Sequence, residues 1–139
     1  MYMHPGDGSL RQILQPGRTI AVVGLSDKIH RDSYQVALYM QEQGYRIIPV
    51  NPRAKEVLGE ASYPDLQSIP VRVDIVNVFR RSEQVPPVME EALKTAPGAI
   101  WLQLGIVNDK AAETACRAGI AFVMDKCIKV EHARLFPRR

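Results

Sequence analysis

Thr19-Ile20-Ala21-Val22-Val23-Gly24-Leu25-Ser26 is an almost unbroken apolar run that turns at a glycine. A strand that is apolar on both faces is buried on both, and that is the condition of a strand in a parallel sheet. Farther along, Ile47-Ile48-Pro49-Val50-Asn51-Pro52-Arg53 repeats the pattern and ends in asparagine, proline and arginine. Two such runs with a helical segment between them make the opening of a nucleotide-binding α/β sheet. At the end of the second run a site for NAD would usually carry Asp or Glu, which binds a ribose hydroxyl. Arg53 stands there instead and suits a phosphate-rich ligand.

The rest of the chain continues the alternation. Residues 9–15 read as a short helix with Ser9 at its N-cap, stopped by Pro16-Gly17. The first strand covers 19–23, a polar loop follows, and a helix is predicted over 33–43. Tyr34, Ala37 and Leu38 would share its inner face, and Gly44 would close it in the left-handed region. Strands are predicted at 46–50, 73–79, 99–104 and 121–125, and helices at 85–95, 108–118 and 127–135. The third of the five helices starts at Val85, because Pro86 and Pro87 are comfortable only in a first turn. Asn108 caps the fourth, with Ala111, Ala112, Ala115 and Cys116 facing inward. Residues 53–70 read as irregular, with one helical turn at 65–69. The expectation is one domain over 1–139, its core about 15–135, built on a five-stranded parallel sheet covered on both faces.

Composition narrows the function classes. The chain has 139 residues and 46% hydrophobic content, enough for a buried core. Eighteen Lys and Arg are interspersed with 15 Asp and Glu, for a net charge of +3. The Arg pairs at 80–81 and 138–139 make no stripe, so nucleic acid is not an expected partner. No run approaches the roughly 20 apolar residues that span a bilayer, and the N-terminus lacks a signal-peptide pattern. Two cysteines without regular spacing indicate neither a disulfide framework nor a zinc site, and cytoplasm is the expected location.

In parallel sheets the ligand sits beyond the carboxyl ends of the strands. The residues there are Gly24-Leu25-Ser26, Asn51-Pro52-Arg53, Phe79-Arg80-Arg81, Gln103-Leu104-Gly105 and Asp125-Lys126-Cys127. Gly24 lets a phosphate approach the backbone and Ser26 adds a hydroxyl donor, although the full G-x-G-x-x-G pattern is absent. Arg53, Arg80 and Arg81 offer bidentate phosphate contacts. Phe79 is either a base-stacking surface or core, and Gln103 either a ligand contact or a structural hydrogen bond. Cys127 is expected to be buried and inert. His4, His30 and His132 lie in the arm, a loop and the tail without metal-type spacing, and no catalytic arrangement can be assembled.

Several blocks resemble the stand-alone CoA-binding domain proteins, which are similar to the N-terminal CoA-binding domain of the succinyl-CoA synthetase α subunit. They are Ile20–Ser26, Gly44–Pro52, Val73–Ser82, Trp101–Gly105 and Met124–His132, spanning about 15 to 135. The resemblance implies a Rossmann-like three-layer domain holding coenzyme A, or an acyl-CoA, at the carboxyl edge of its sheet. It implies that the Gly24-Leu25-Ser26 turn holds phosphate and that Arg53 replaces the synthetase lysine. Leu102-Gln103-Leu104 would correspond to the stretch lining the CoA site. The phosphohistidine domain and nucleotide-grasping subunit of the synthetase have no counterpart, so a non-catalytic carrier, sensor or regulatory module is expected rather than an enzyme. Its partner would be that small molecule, with a protein partner or homodimer beside it. An NAD(P)-binding protein or small oxidoreductase is the rival, and an interaction module that has lost its ligand is a third option.

Overall fold

The computed structural model describes residues 2–137; Met1, Arg138 and Arg139 lie outside the described residues. Five strands, β1 (Thr19–Val23), β2 (Arg46–Val50), β5 (Ile75–Val78), β6 (Ala99–Leu102) and β7 (Ala121–Val123), form one parallel sheet in the order β2-β1-β5-β6-β7. The α/β three-layer class expected from the sequence is the class observed. Beside β2, Tyr63 makes a single parallel bridge to Val50, with Tyr63 N donating to Pro49 O and Asn51 N to Tyr63 O. With that bridge counted, the order is the 3-2-1-4-5-6 of the dinucleotide fold, its third strand shrunk to one residue.

Alternation along each strand divides the core. Ile20, Val22, Ile47, Ile75, Trp101 and Val123 point to one face, under helices α1 (Asp7–Ile13), α2 (Asp32–Glu42) and α5 (Ile128–Leu135). Ala21, Val23, Val76, Val78, Ile100 and Leu102 point to the other, under α3 (Val85–Thr95) and α4 (Asp109–Arg117). Asn108 caps α4 through its side chain, which accepts from Ala111 N at 2.9 Å, and Pro86 and Pro87 sit in the first turn of α3. Both placements follow from what those residues do at helix starts.

Some boundaries differ from the sequence expectation. Helix α1 begins at Asp7 with Gly6 as its N-cap, not Ser9. Asp7 there suits the positive end of the helix and pairs with Arg134 of α5 at 3.0 Å. The buried stripe of α2 is Ser33, Val36, Ala37 and Met40, so Tyr34 and Leu38 flank it, half-buried. Cys116 is exposed, not inward-facing. Strands β6 and β7 stop short of the predicted ends, where Gly105 at φ +86° and Asp125 at φ +61° turn the chain out of the sheet, and β5 covers only 75–78 of the predicted 73–79. No helical turn forms at 65–69; a turn closed by Ile69 N on Leu66 O takes its place. Within the segment read as irregular, β3 (Glu56–Val57) and β4 (Glu60–Ala61) pair as a hairpin. Its turn residues, Leu58 and Gly59, both have positive φ, of 57° and 76°.

Among the described residues, no helix is long and apolar enough to cross a membrane.

Candidate functional site

The register sets Val23, Val50, Val78 and Leu102 side by side at the carboxyl edge of the sheet. Gly24, Asn51, Phe79 and Gln103 therefore leave the sheet together. Gly24 adopts φ +88°, and a Cβ on it would strike the Phe79 carbonyl oxygen and lie 3.2 Å from Arg80 Nη1. Only glycine passes here, because β1 and β5 are adjacent and their chains depart in close contact. This gap between β1 and β5 is the switch point of the sheet, where the crevice opens.

Asn51 joins two of the departing loops. Its Nδ2 donates to Leu25 O at 2.9 Å, while its Oδ1 accepts from Arg53 N at 2.8 Å and shapes the turn that carries the arginine. Ser26 is held in the same way. Its N–H donates to the buried Ser33 Oγ at 3.0 Å, and its own Oγ accepts from Lys28 N at 3.0 Å. Ser33 stands in the first turn of α2, so the glycine loop is fastened to the start of that helix. The positive end of α2 thus faces the crevice, an arrangement that favours anions, against which Asp32 sets one negative charge.

Two clefts run along this edge. One, of about 740 Å³, is lined by Gly24, Ser26, Asp27, Lys28, Arg31, Asp32, Ser33, Asn51, Pro52, Arg53, Phe79 and Arg80. The other, of about 900 Å³, is lined by Val36, Arg81, Gln84, Gln103, Leu104, Gly105, Ile106, Cys127 and Lys129 among others. Asp32, Phe79 and Arg80 belong to both. The half-buried Phe79 borders both, so the two lobes adjoin there, and Arg80 serves either side of it. The first lobe gathers four cations, Lys28, Arg31, Arg53 and Arg80, against Asp27 and Asp32.

The sequence-predicted residues divide between these lobes and the core. Gly24, Ser26, Asn51, Pro52, Arg53, Phe79 and Arg80 line the first; Phe79, Arg80, Arg81, Gln103, Leu104 and Gly105 line the second. Leu25 and Leu102 do neither. Both side chains are fully buried and pack on opposite faces of the sheet. Gln103 is buried with a structural task, its Oε1 accepting from Ile128 N at 3.1 Å at the start of α5, and it still borders the second lobe. Cys127 is half-buried and lines that lobe, because the turn into α5 holds it at the rim. In the sequence Lys28 and Arg31 read as part of a polar loop, although their place after β1 sets them on the carboxyl edge of the sheet. Val36 and Lys129 carried no such signal, since their helices point them into the cleft only after packing.

Among the described residues, no group of three or more His, Cys, Asp or Glu could hold a metal ion.

The comparisons with known proteins agree with this architecture. Residues 18–133 match the CoA binding domain family. The chain is 48% identical over 130 residues to the uncharacterized protein YneT of Bacillus subtilis, covering 94% of this chain and 96% of that one. A solved structure from Thermus thermophilus superposes with a TM-score of 0.91 at 40% identity, covering 95% of this chain and all of that one. An ADP-forming acetate–CoA ligase of Archaeoglobus fulgidus is 31% identical over 109 residues, which is 75% of this chain but 16% of the ligase. The family match over 18–133 takes in the whole parallel sheet and both lobes of the crevice, and the chain belongs to the CoA-binding domain family.

Proposed function

We infer that the protein binds coenzyme A or an acyl-CoA across the two lobes as a non-catalytic carrier, sensor or regulatory module. The observation that carries this reading is a pair of adjoining clefts along one sheet edge, one cationic and one more apolar, which share Phe79 and Arg80. Coenzyme A has the same two halves. Its 3′-phosphate and pyrophosphate suit Lys28, Arg31, Arg53 and Arg80, with the Gly24 turn and the start of α2 supplying backbone donors. Its pantetheine arm suits the lobe of Phe79, Gln103, Leu104 and Gly105, with Arg81 at the rim. Leu25 and Leu102 support these loops from below. The ligase relative carries this unit within a much longer chain, so a protein partner or second copy would supply whatever chemistry follows binding.

Arg53 at the end of β2 also fits the 2′-phosphate of NADP, the rival ligand. Calorimetric titration with CoA, dephospho-CoA, NADP and NAD separates the two. Binding of CoA with weaker binding of dephospho-CoA is expected; tight NADP binding without CoA binding would overturn the assignment.

A further inference from the structure

The loop after β6 displays apolar side chains to solvent and is pinned while doing so. Gly105 N donates to Asp125 Oδ1 at 2.8 Å, Ile106 N to the Gln103 carbonyl at 2.9 Å, and Val107 N to Ser82 Oγ at 3.3 Å. Asn108 closes the loop by capping α4 and by donating from Nδ2 to Ser82 O at 3.4 Å. Leu104 is 66% exposed on this loop and Val107 43%. A slack loop would fold such side chains inward; this one is tied at successive backbone N–H groups. Apolar surface held open at the mouth of a cleft awaits apolar cover.

The two lobes differ in the same sense. The cationic lobe has Pro52 and Phe79 as its large apolar liners, whereas the second adds Val36, Leu104 and Ile106 beside Phe79. The second lobe is therefore the more apolar of the two, and the pinned loop borders it.

We propose that Leu104 and Ile106, with Val107 beside them, seat the aliphatic acyl group of a short-chain acyl thioester, so that the protein prefers such an acyl-CoA to free CoA. This rests on the CoA reading of the crevice. The preference comes from burial of the acyl carbons against the loop and involves no bond making. Arg81 and Lys129 also border this lobe and Glu83 opposes them, so a charged acyl end is the competing possibility within the same cleft.

Calorimetry with CoA, acetyl-CoA, butyryl-CoA and succinyl-CoA decides it. Partial burial of each added carbon is worth roughly a two- to fourfold gain, so butyryl-CoA should bind about four- to sixteenfold tighter than acetyl-CoA. In Leu104→Ser that ratio should fall toward one, and in Leu104→Met it should persist. The ratio is read within each variant, so a uniform change in affinity does not disturb it. Equal binding of acetyl- and butyryl-CoA, or succinyl-CoA binding at least as tightly as butyryl-CoA, would overturn the acyl seat and leave CoA binding intact. If no CoA compound bound while NADP did, the CoA reading itself would fall and take the seat with it.

Discussion

The carbonyl oxygen of Phe79 stands where a Cβ on Gly24 would have to go. The two residues directly follow adjacent strands, so the close approach of their chains depends on the missing side chain. Gly24→Ala would force φ +88° on a residue with a Cβ and push the two chains apart. We expect a loss of about 2–4 kcal/mol in stability, read as a lower urea midpoint with unchanged slope. An unchanged midpoint would show that the chains can separate without penalty.

Arg53 and Arg80 should make separable contributions to binding. If Arg53 meets the 3′-phosphate, Arg53→Ala should weaken CoA by about 1–3 kcal/mol and leave dephospho-CoA nearly unaffected. Arg80 lines both lobes, so Arg80→Ala should weaken both ligands. Equal losses for both ligands in the Arg53 variant would detach it from the 3′-phosphate.

Asn77 is buried in central strand β5 between Val22 and Trp101, and its Oδ1 has no hydrogen-bond partner among the described residues. An orphaned acceptor in a dry core costs about 1–3 kcal/mol. Asn77→Val removes it and adds a residue that suits a strand, so stability should rise by about 1–2 kcal/mol. A drop instead would mean that the amide is satisfied in solution by a buried water.

His132 gives stability a pH dependence. It is buried among Tyr39, Tyr45 and Phe136, with Nδ1 2.8 Å from Tyr39 Oη, and burial holds its pKa below the ordinary 6.5. The unfolded chain therefore takes up the proton first as pH falls below 6.5. This stabilisation is present above 6.5 and drains away between 6.5 and the lower folded-state value. Urea titrations between about pH 5 and 7 should show stability rising with pH, and His132→Phe should flatten that rise. A slope unaltered by the substitution would assign it to other groups. Asp7 acts in a different window. Its hydrogen bond from Arg134 lowers its pKa below 3.8, so its share is lost as pH falls from 3.8 through that lower value.

The five strands were legible because each is a short, mainly apolar run bounded by turn residues, Asn77 in β5 being the polar exception. Such a run is too short for a buried helix and fits a strand covered on both faces. The ends of those runs named the crevice, and Arg53, Arg80 and Gly24 were found by that rule alone. What the sequence concealed depended on packing. The Leu58-Gly59 turn lacks the Asn-Gly signature, so the hairpin around it left no mark. Leu25 follows β1 and Leu102 ends β6, both at the right edge, yet their side chains turn to the core, a choice made by burial that their position does not reveal. Lys129 reaches the crevice only because α5 docks beside Gln103.

The shrunken third strand also governs how this molecule meets its own kind. A full strand beyond β2 would offer a fresh row of N–H and C=O groups, the template on which another chain can build. Here the row is broken. The Pro49 carbonyl faces outward to Tyr63, so the side where its own nitrogen lies has no proton to offer. Tyr63 occupies the neighbouring positions, and β4 lies alongside. On this side the sheet ends at a proline and a single tyrosine, a selvedge that offers a further strand no continuous row to pair with.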